Sequence, residues 1–225
     1  MPVLETDGLV AAKGSFAVDC NDLSIEKRAI LGLLGRSGSG KSTVIETIVG
    51  LHRPRKGRIL IDGKPISDQV GAIGFVPQSS ALWEYLSVLE NLRTFGRIYG
   101  VPRKEIDRRI EVILGRLQLL GHEQKRINQL SGGMRRRVDF AVGLIHMPHL
   151  LVLDEPFTGL DVELRAFLWQ FLKEIAAAGS SIMIASHMIE DIERHASHFA
   201  LVANEHVHLI GREELRSVFN REVRV

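Results

Sequence analysis

The sequence predicts a mixed α/β domain whose β/α alternation is interrupted by a helical segment. Three observations carry this. An unbroken apolar run, Ala29–Leu34, leads into a glycine-rich turn, Gly35–Ser42, as a strand buried on both faces leads into a helix. A second apolar run, from His149 to Leu153, ends in two adjacent carboxylates, Asp154 and Glu155. Between the two, the stretch from Ser87 to Gln129 is charged, helix-periodic and without a good strand candidate.

Short β-rich runs open the chain at Gly8–Ala12, Ser15–Val18 and Leu23–Ile25, followed by the buried strand Ala29–Leu34 and a helix through Val49. Gly57–Ile61 and Ala72–Val76 read as strands, with Asp62-Gly63 as a turn between them. In the middle, Ile106, Ile110, Ile113, Leu114, Leu117 and Leu120 recur at helical spacing, with Pro102 in the first turn and Gly121 at the end. The alternation then returns. His149–Leu153 is a strand, and Leu164, Phe167, Leu168, Phe171, Leu172 and Ile175 form the stripe of a helix capped by Asp161 and stopped at Gly179. Ser181–Ala185 is a strand, Met188–His195 a short helix, and Phe199–Ala203 with Val207–Ile210 a closing hairpin.

With 225 residues and 45% hydrophobic residues the chain has the material for one large core. Its 29 basic and 27 acidic residues nearly cancel, which gives no call for nucleic acid as a partner. A lone cysteine, Cys20, excludes an internal disulfide and reads as a small buried hydrophobe near a strand. Glu5 and Asp7 stand where a signal peptide carries basic residues, and no apolar run approaches the ~20 residues of a membrane span.

The chemistry begins at Gly35-Arg36-Ser37-Gly38-Ser39-Gly40-Lys41-Ser42, which fits G-x-x-x-x-G-K-[ST]. Glycines let backbone N–H groups turn toward phosphate oxygens, and the helix start adds positive potential. Lys41 reaches phosphate as a point charge, Ser42 offers Mg²⁺ a hard oxygen, and Thr43 continues the loop. At the end of the second run, neighbouring acids point to opposite sides of the strand and take separate tasks. Asp154 is placed to hold Mg²⁺, Glu155 to orient or deprotonate an attacking water. Leu130-Ser131-Gly132-Gly133-Met134 opens a helix that Ser131 caps, and the glycine pair in its first turn bares N–H groups to an incoming anion. The following Arg135–Arg137 read as a solvated helix face with salt bridges.

Leu130–Met134 resembles the signature motif of ABC ATPases, and the resemblance runs through the chain in order. Gly35–Ser42 matches the Walker A loop, Gln78 the Q-loop, Leu150–Glu155 the Walker B strand, Gly159-Leu160-Asp161 the D-loop and His187 the switch histidine. The resemblance implies a P-loop NTPase fold of the ABC type. That is one domain over residues 1–225 with a RecA-like α/β core, an antiparallel β subdomain and a helical subdomain at about 82–147. It implies ATP and Mg²⁺ as cofactors, with Ser42, Gln78 and Asp154 on the metal side and Glu155, Gln78 and His187 in hydrolysis. Ser131, Gly132 and Gly133 would meet the γ-phosphate of ATP held by a second subunit, and Asp161 would cross that interface. Partners would be a second nucleotide-binding subunit and a transmembrane permease, which places the chain at the cytoplasmic face of the membrane.

The 51 residues between Gln78 and Leu130 suit a transporter's helical subdomain. Ser87–Leu92, Phe95–Gly100 and Gly132–Arg137 resemble exporters of drugs, polysaccharides and antibiotics; a soluble ABC ATPase without a transport role is the alternative. Trp83 and Tyr85 either meet a permease or close the helical subdomain. The family stacks adenine on an aromatic residue ahead of the loop, where this chain reads Ala11–Phe16. Phe16 is the nearest aromatic. Either it stacks from a shifted loop, or the base is held less tightly.

Overall fold

A computed structural model describes residues 1–222 apart from Asp22 and Val70. The chain opens with strands β1 (Leu4–Lys13), β2 (Phe16–Asp19), β3 (Ser24–Ile25) and β4 (Ile30–Leu34). Helix α1 (Lys41–Ile48) follows, then β5 (Lys56–Ile61), β6 (Lys64–Pro65) and β7 (Ile73–Val76). Three helices come next: α2 (Val88–Ile98), α3 (Arg103–Arg116) and α4 (Gly132–Leu144). The chain returns through β8 (Leu150–Asp154), α5 (Val162–Ala178), β9 (Ser181–Ala185) and α6 (Ile189–His195) to the hairpin β10 (His198–Ala203) and β11 (His206–Ile210), then α7 (Arg212–Glu222).

All described strands join one sheet in the order β6-β5-β1-β2-β11-β10-β4-β9-β8-β7, with β3 paired to β1. Its two halves differ. From β10 to β7 the neighbours run parallel, and β4, β8 and β9 are buried at every position, the mark of strands covered on both faces. From β6 to β2 the neighbours are antiparallel. One parallel pairing, His206 opposite Asp19, joins the halves.

The register aligns the carboxyl ends of the parallel strands. Val76 lies opposite Leu153, Asp154 opposite Ala185, and Leu33 opposite both Ala185 and Ala200. Gly35, Gln78, Glu155 and His187 therefore leave the sheet at one edge, where ligands of open α/β sheets bind.

Helices α2, α3 and α4 share one apolar cluster that includes Leu92, Ile106, Ile110, Leu114, Val138 and Val142. Ser87 caps α2 with a reciprocal capping box through Glu90. Helix α3 ends earlier than its apolar pattern predicts. It stops at Arg116, Gln118 turns left-handed at φ 54°, and this sends Leu119 into the core while Leu120 is 56% exposed. Pro102 sits at the N-cap rather than inside the first turn. Trp83 stacks on Phe95 with ring centroids 4.8 Å apart and so closes the helical part, while Tyr85 stays 77% exposed. The expected caps of α4 and α5 form: Ser131 Oγ accepts from Met134 N–H and Asp161 Oδ1 from Leu164 N–H.

Candidate functional site

A cavity of about 530 Å³ opens over the aligned strand ends. The loop after β4 contributes Ser37, Gly38, Gly40, Lys41, Ser42 and Thr43, and the ends of β7, β8 and β9 contribute Gln78, Asp154, Glu155 and His187. Phe16, first residue of β2, closes the antiparallel side.

The loop is built by close approach. Gly40 caps α1 with φ 106°, and a Cβ there would lie 2.8 Å from Phe16 Cε1 and 2.6 Å from Val18 Cγ2. Only glycine combines that backbone with that proximity. Lys41 is buried, and its ammonium donates to the carbonyls of Gly35 at 2.7 Å and Arg36 at 3.1 Å. Its charge thus stands inside the loop, next to the positive N-terminus of α1. Gly35 and Ser39 form the back of the loop, where the Ser39 hydroxyl is buried without a hydrogen-bond partner, and Arg36 points outward.

Asp154 ends β8 buried, beside the Ser42 hydroxyl, and its Oδ1 has no hydrogen-bond partner. Burial raises its carboxyl above the usual range against the lowering by Ser42 and Lys41, and the neighbouring Glu155 charge adds to the rise. A buried carboxylate oxygen left unpaired next to a serine hydroxyl is a fitting oxygen donor set for a hard cation such as Mg²⁺.

Glu155 follows with φ 44°, a left-handed conformation costing roughly 1–2 kcal/mol in a residue with a Cβ. The turn swings its side chain off the strand direction toward His187, whose Nδ1 lies 2.9 Å from Glu155 Oε2. Its N–H still bonds to Ala185 O at 2.9 Å, which keeps the strained turn tied to β9.

Like Gly35, Arg36 and Ser39, the predicted residues Ser131, Gly132, Gly133 and Asp161 do not line the cavity, and these four stand apart from the loop as well. They cluster at the starts of α4 and α5, where Ser131, Gly132 and Asp161 are exposed. A Cβ on Gly133 would come 2.6 Å from Leu164 Cδ2, whereas one on Gly132 would meet open space. The glycine pair therefore divides its work: Gly133 lets α4 approach α5, and Gly132 bares backbone to solvent.

The family described as "ABC transporter" matches residues 18–158, more than half of the chain. The chain belongs to the ABC transporter family. It is 38% identical over 189 residues to the Nod factor export ATP-binding protein I of Cupriavidus metallidurans, covering 82% of this chain and 62% of that protein. The protein of the same name from Bradyrhizobium diazoefficiens is 38% identical over 194 residues, 83% of this chain and 63% of its own. The chain thus spans about three fifths of the length of the curated relatives it matches. Among solved structures, an ATP binding subunit of an ABC transporter superposes with a TM-score of 0.83 at 28% identity, covering 97% of this chain and 93% of that one. An ABC domain of this kind binds ATP, and no described helix is long and apolar enough to cross a membrane.

Two residues of this ABC domain escaped the sequence reading. Thr158 lines the cavity, and its N–H reaches back to Glu155 O at 3.4 Å. Arg136 is buried, not part of a solvated face. Its Nη1 donates to Pro77 O at 2.8 Å and its Nε to Pro156 O at 2.9 Å. Its Nη2 stands 3.4 Å from both Asp154 O and Glu155 O. Three consecutive arginines look alike in sequence. The α4 period would have found it, because Arg136 lies three residues before Asp139 and four before Phe140, both buried with it.

Proposed function

We propose that this chain is the ATP-hydrolysing subunit of an ABC transporter of the exporter type, working as a dimer beneath a separate permease. The single observation that carries the reading is the convergence over Lys41 of Asp154, Glu155, His187 and Gln78 from different strand ends. The export names of relatives at 38% identity support the direction of transport.

In this reading the loop 35–43 holds the phosphates of ATP, and Phe16 at the rim takes the base. Ser42, Asp154 and Gln78 hold Mg²⁺, which when bound offsets phosphate charge. Glu155 orients the attacking water and accepts its proton as the new bond to the γ-phosphorus forms and the bond to the bridging oxygen breaks. His187 positions Glu155 and faces the γ-phosphate. The protein's share is positioning and charge stabilisation. Ser131, Gly132, Gly133 and Asp161, exposed at two helix starts, face the partner's nucleotide. Residues 82–147 form the helical subdomain, where exposed Tyr85 meets the permease at the cytoplasmic face of the membrane.

The test is a tagged Glu155→Gln variant, assayed for ATPase activity and recovered from detergent-solubilised membranes with ATP present. Turnover should be nearly abolished with ATP binding kept, and a multi-span membrane protein should copurify at comparable stoichiometry. Recovery from the soluble fraction alone would replace the transporter reading with an ABC ATPase that has no transport role.

A further inference from the structure

Helix α4 carries at its N-terminus the exposed Ser131–Gly133 surface and, about 7.5 Å further along at 1.5 Å per residue, the buried Arg136. Arg136 bonds backbone of two loops at once: the carbonyl of Pro77, which precedes Gln78, and those of Asp154, Glu155 and Pro156. Asp139, one turn on, completes the link. Its Oδ2 lies 3.7 Å from Arg136 Nη1, and its Oδ1 accepts from the Ser80 hydroxyl at 2.8 Å, two residues past Gln78. We infer that Arg136 and Asp139 are positioning residues for ATP hydrolysis, an ion pair on α4 that sets the spacing between the Gln78 loop and the Glu155 turn.

Three observations favour this over mere filling of buried space. The loops joined are the ones that follow β7 and β8, so one guanidinium spans two adjacent strand ends. Its rigid fork of donors reaches several acceptors at fixed angles, which the single ammonium of lysine does not. The pair is also buried, with Arg136 9% and Asp139 5% exposed, where apolar side chains would fill the space as well. Buried ion pairs of this sort add little stability compared with apolar side chains of equal size. Asp139 faces Arg135 as well as Arg136, and Ser80 from the opposite loop.

The inference rests on the assignment of Gln78 and Glu155 to hydrolysis, so the experiment carries its own control. Arg136→Lys, Asp139→Asn and Ser80→Ala are purified as full chains beside wild type and Glu155→Gln. Each is measured for kcat, KM, binding of a fluorescent ATP analogue and thermal midpoint. Arg136→Lys is expected to lower kcat about 10- to 100-fold, as small misplacements of reacting groups do, with KM and analogue binding within about twofold of wild type. Asp139→Asn and Ser80→Ala should lower kcat in the same sense by roughly 3- to 10-fold at unchanged KM. Unchanged kcat in a folded Arg136→Lys overturns the inference. So do equal losses in binding and thermal midpoint, which mark a structural role only. Should Arg136→Lys fail to fold, Ser80→Ala decides, because Ser80 is exposed and its loss leaves the core intact. Turnover persisting in Glu155→Gln refutes the underlying assignment, and the inference with it.

Discussion

Glu155 Oε2 and His187 Nδ1 lie 2.9 Å apart, brought together from the ends of adjacent strands β8 and β9. The contact exists because Glu155 leaves its strand in a left-handed turn at φ 44°. Side chain and backbone strain are thus parts of one arrangement, with the strain sustained where hydrolysis is proposed.

That strain is measurable by comparing two neutral replacements. Asparagine tolerates the left-handed region where glutamine does not. Glu155→Asn should therefore unfold at a higher temperature than Glu155→Gln, by roughly 2–4 °C for about 1 kcal/mol in a chain of this size. Equal midpoints in calorimetry would show that Glu155 carries no strain. Both variants should be inactive.

At the rim, Phe16→Ala should raise the dissociation constant for ATP by less than tenfold, the scale of one base-stacking contact. Gly40→Ala is the harsher change, since its Cβ would fall 2.8 Å from the Phe16 ring on a backbone at φ 106°. We expect it to destabilise the fold by at least 1–2 kcal/mol, roughly, as read by chemical denaturation. A wild-type transition would contradict the close packing of β2 on the loop.

The glycine pair of α4 separates fold from function. Gly132→Ala should leave stability unchanged or raise it by up to about 1 kcal/mol, the helix-propensity gain, yet lower ATPase activity if its bared backbone meets a nucleotide. Gly133→Ala must displace the tip of Leu164, so its gain is smaller or reversed. Adding Leu164→Ala should relieve the clash, and a double-mutant cycle reads the coupling.

Asp139 sets a pH dependence. Burial pushes its carboxyl from 3.8 up to about 6 in the folded chain, so the folded state holds the proton more tightly than the unfolded. The associated stability is complete below the unfolded value and is lost as pH rises through the folded one. Denaturation at pH 5 and pH 7 should show the chain more stable at pH 5 with respect to this group, by about 1 kcal/mol. Asp139→Asn should flatten that slope, and its turnover should fall with it because the partner of Arg136 is gone.

The parallel strands and the phosphate loop were legible because burial on both faces writes an unbroken apolar run, and the phosphate loop needs its glycines in sequence. What escaped had no local signal. Helix α7 is mostly charged, and β6 is the dipeptide Lys64-Pro65. The choice of Leu119 over Leu120 for the core follows from the left-handed turn at Gln118, which tertiary packing imposes. Phe157 is buried against Trp169 at 4.7 Å, and Trp169 stacks in turn on His195 at the end of α6. That column joins chain segments some 40 residues apart, a distance no window of sequence spans.

In the proposed reading, helix α4 has one end on the surface that would meet a neighbouring subunit and its middle clasped around the loops that would carry hydrolysis in its own. In the proposed dimer this makes the two active centres mutually informed: each subunit touches the other's fuel with the same rigid rod that aligns its own cutting tools. Firing in one centre would then be felt in the other across about 7.5 Å of helix, and mixed dimers with one damaged α4 would run unevenly rather than at half speed.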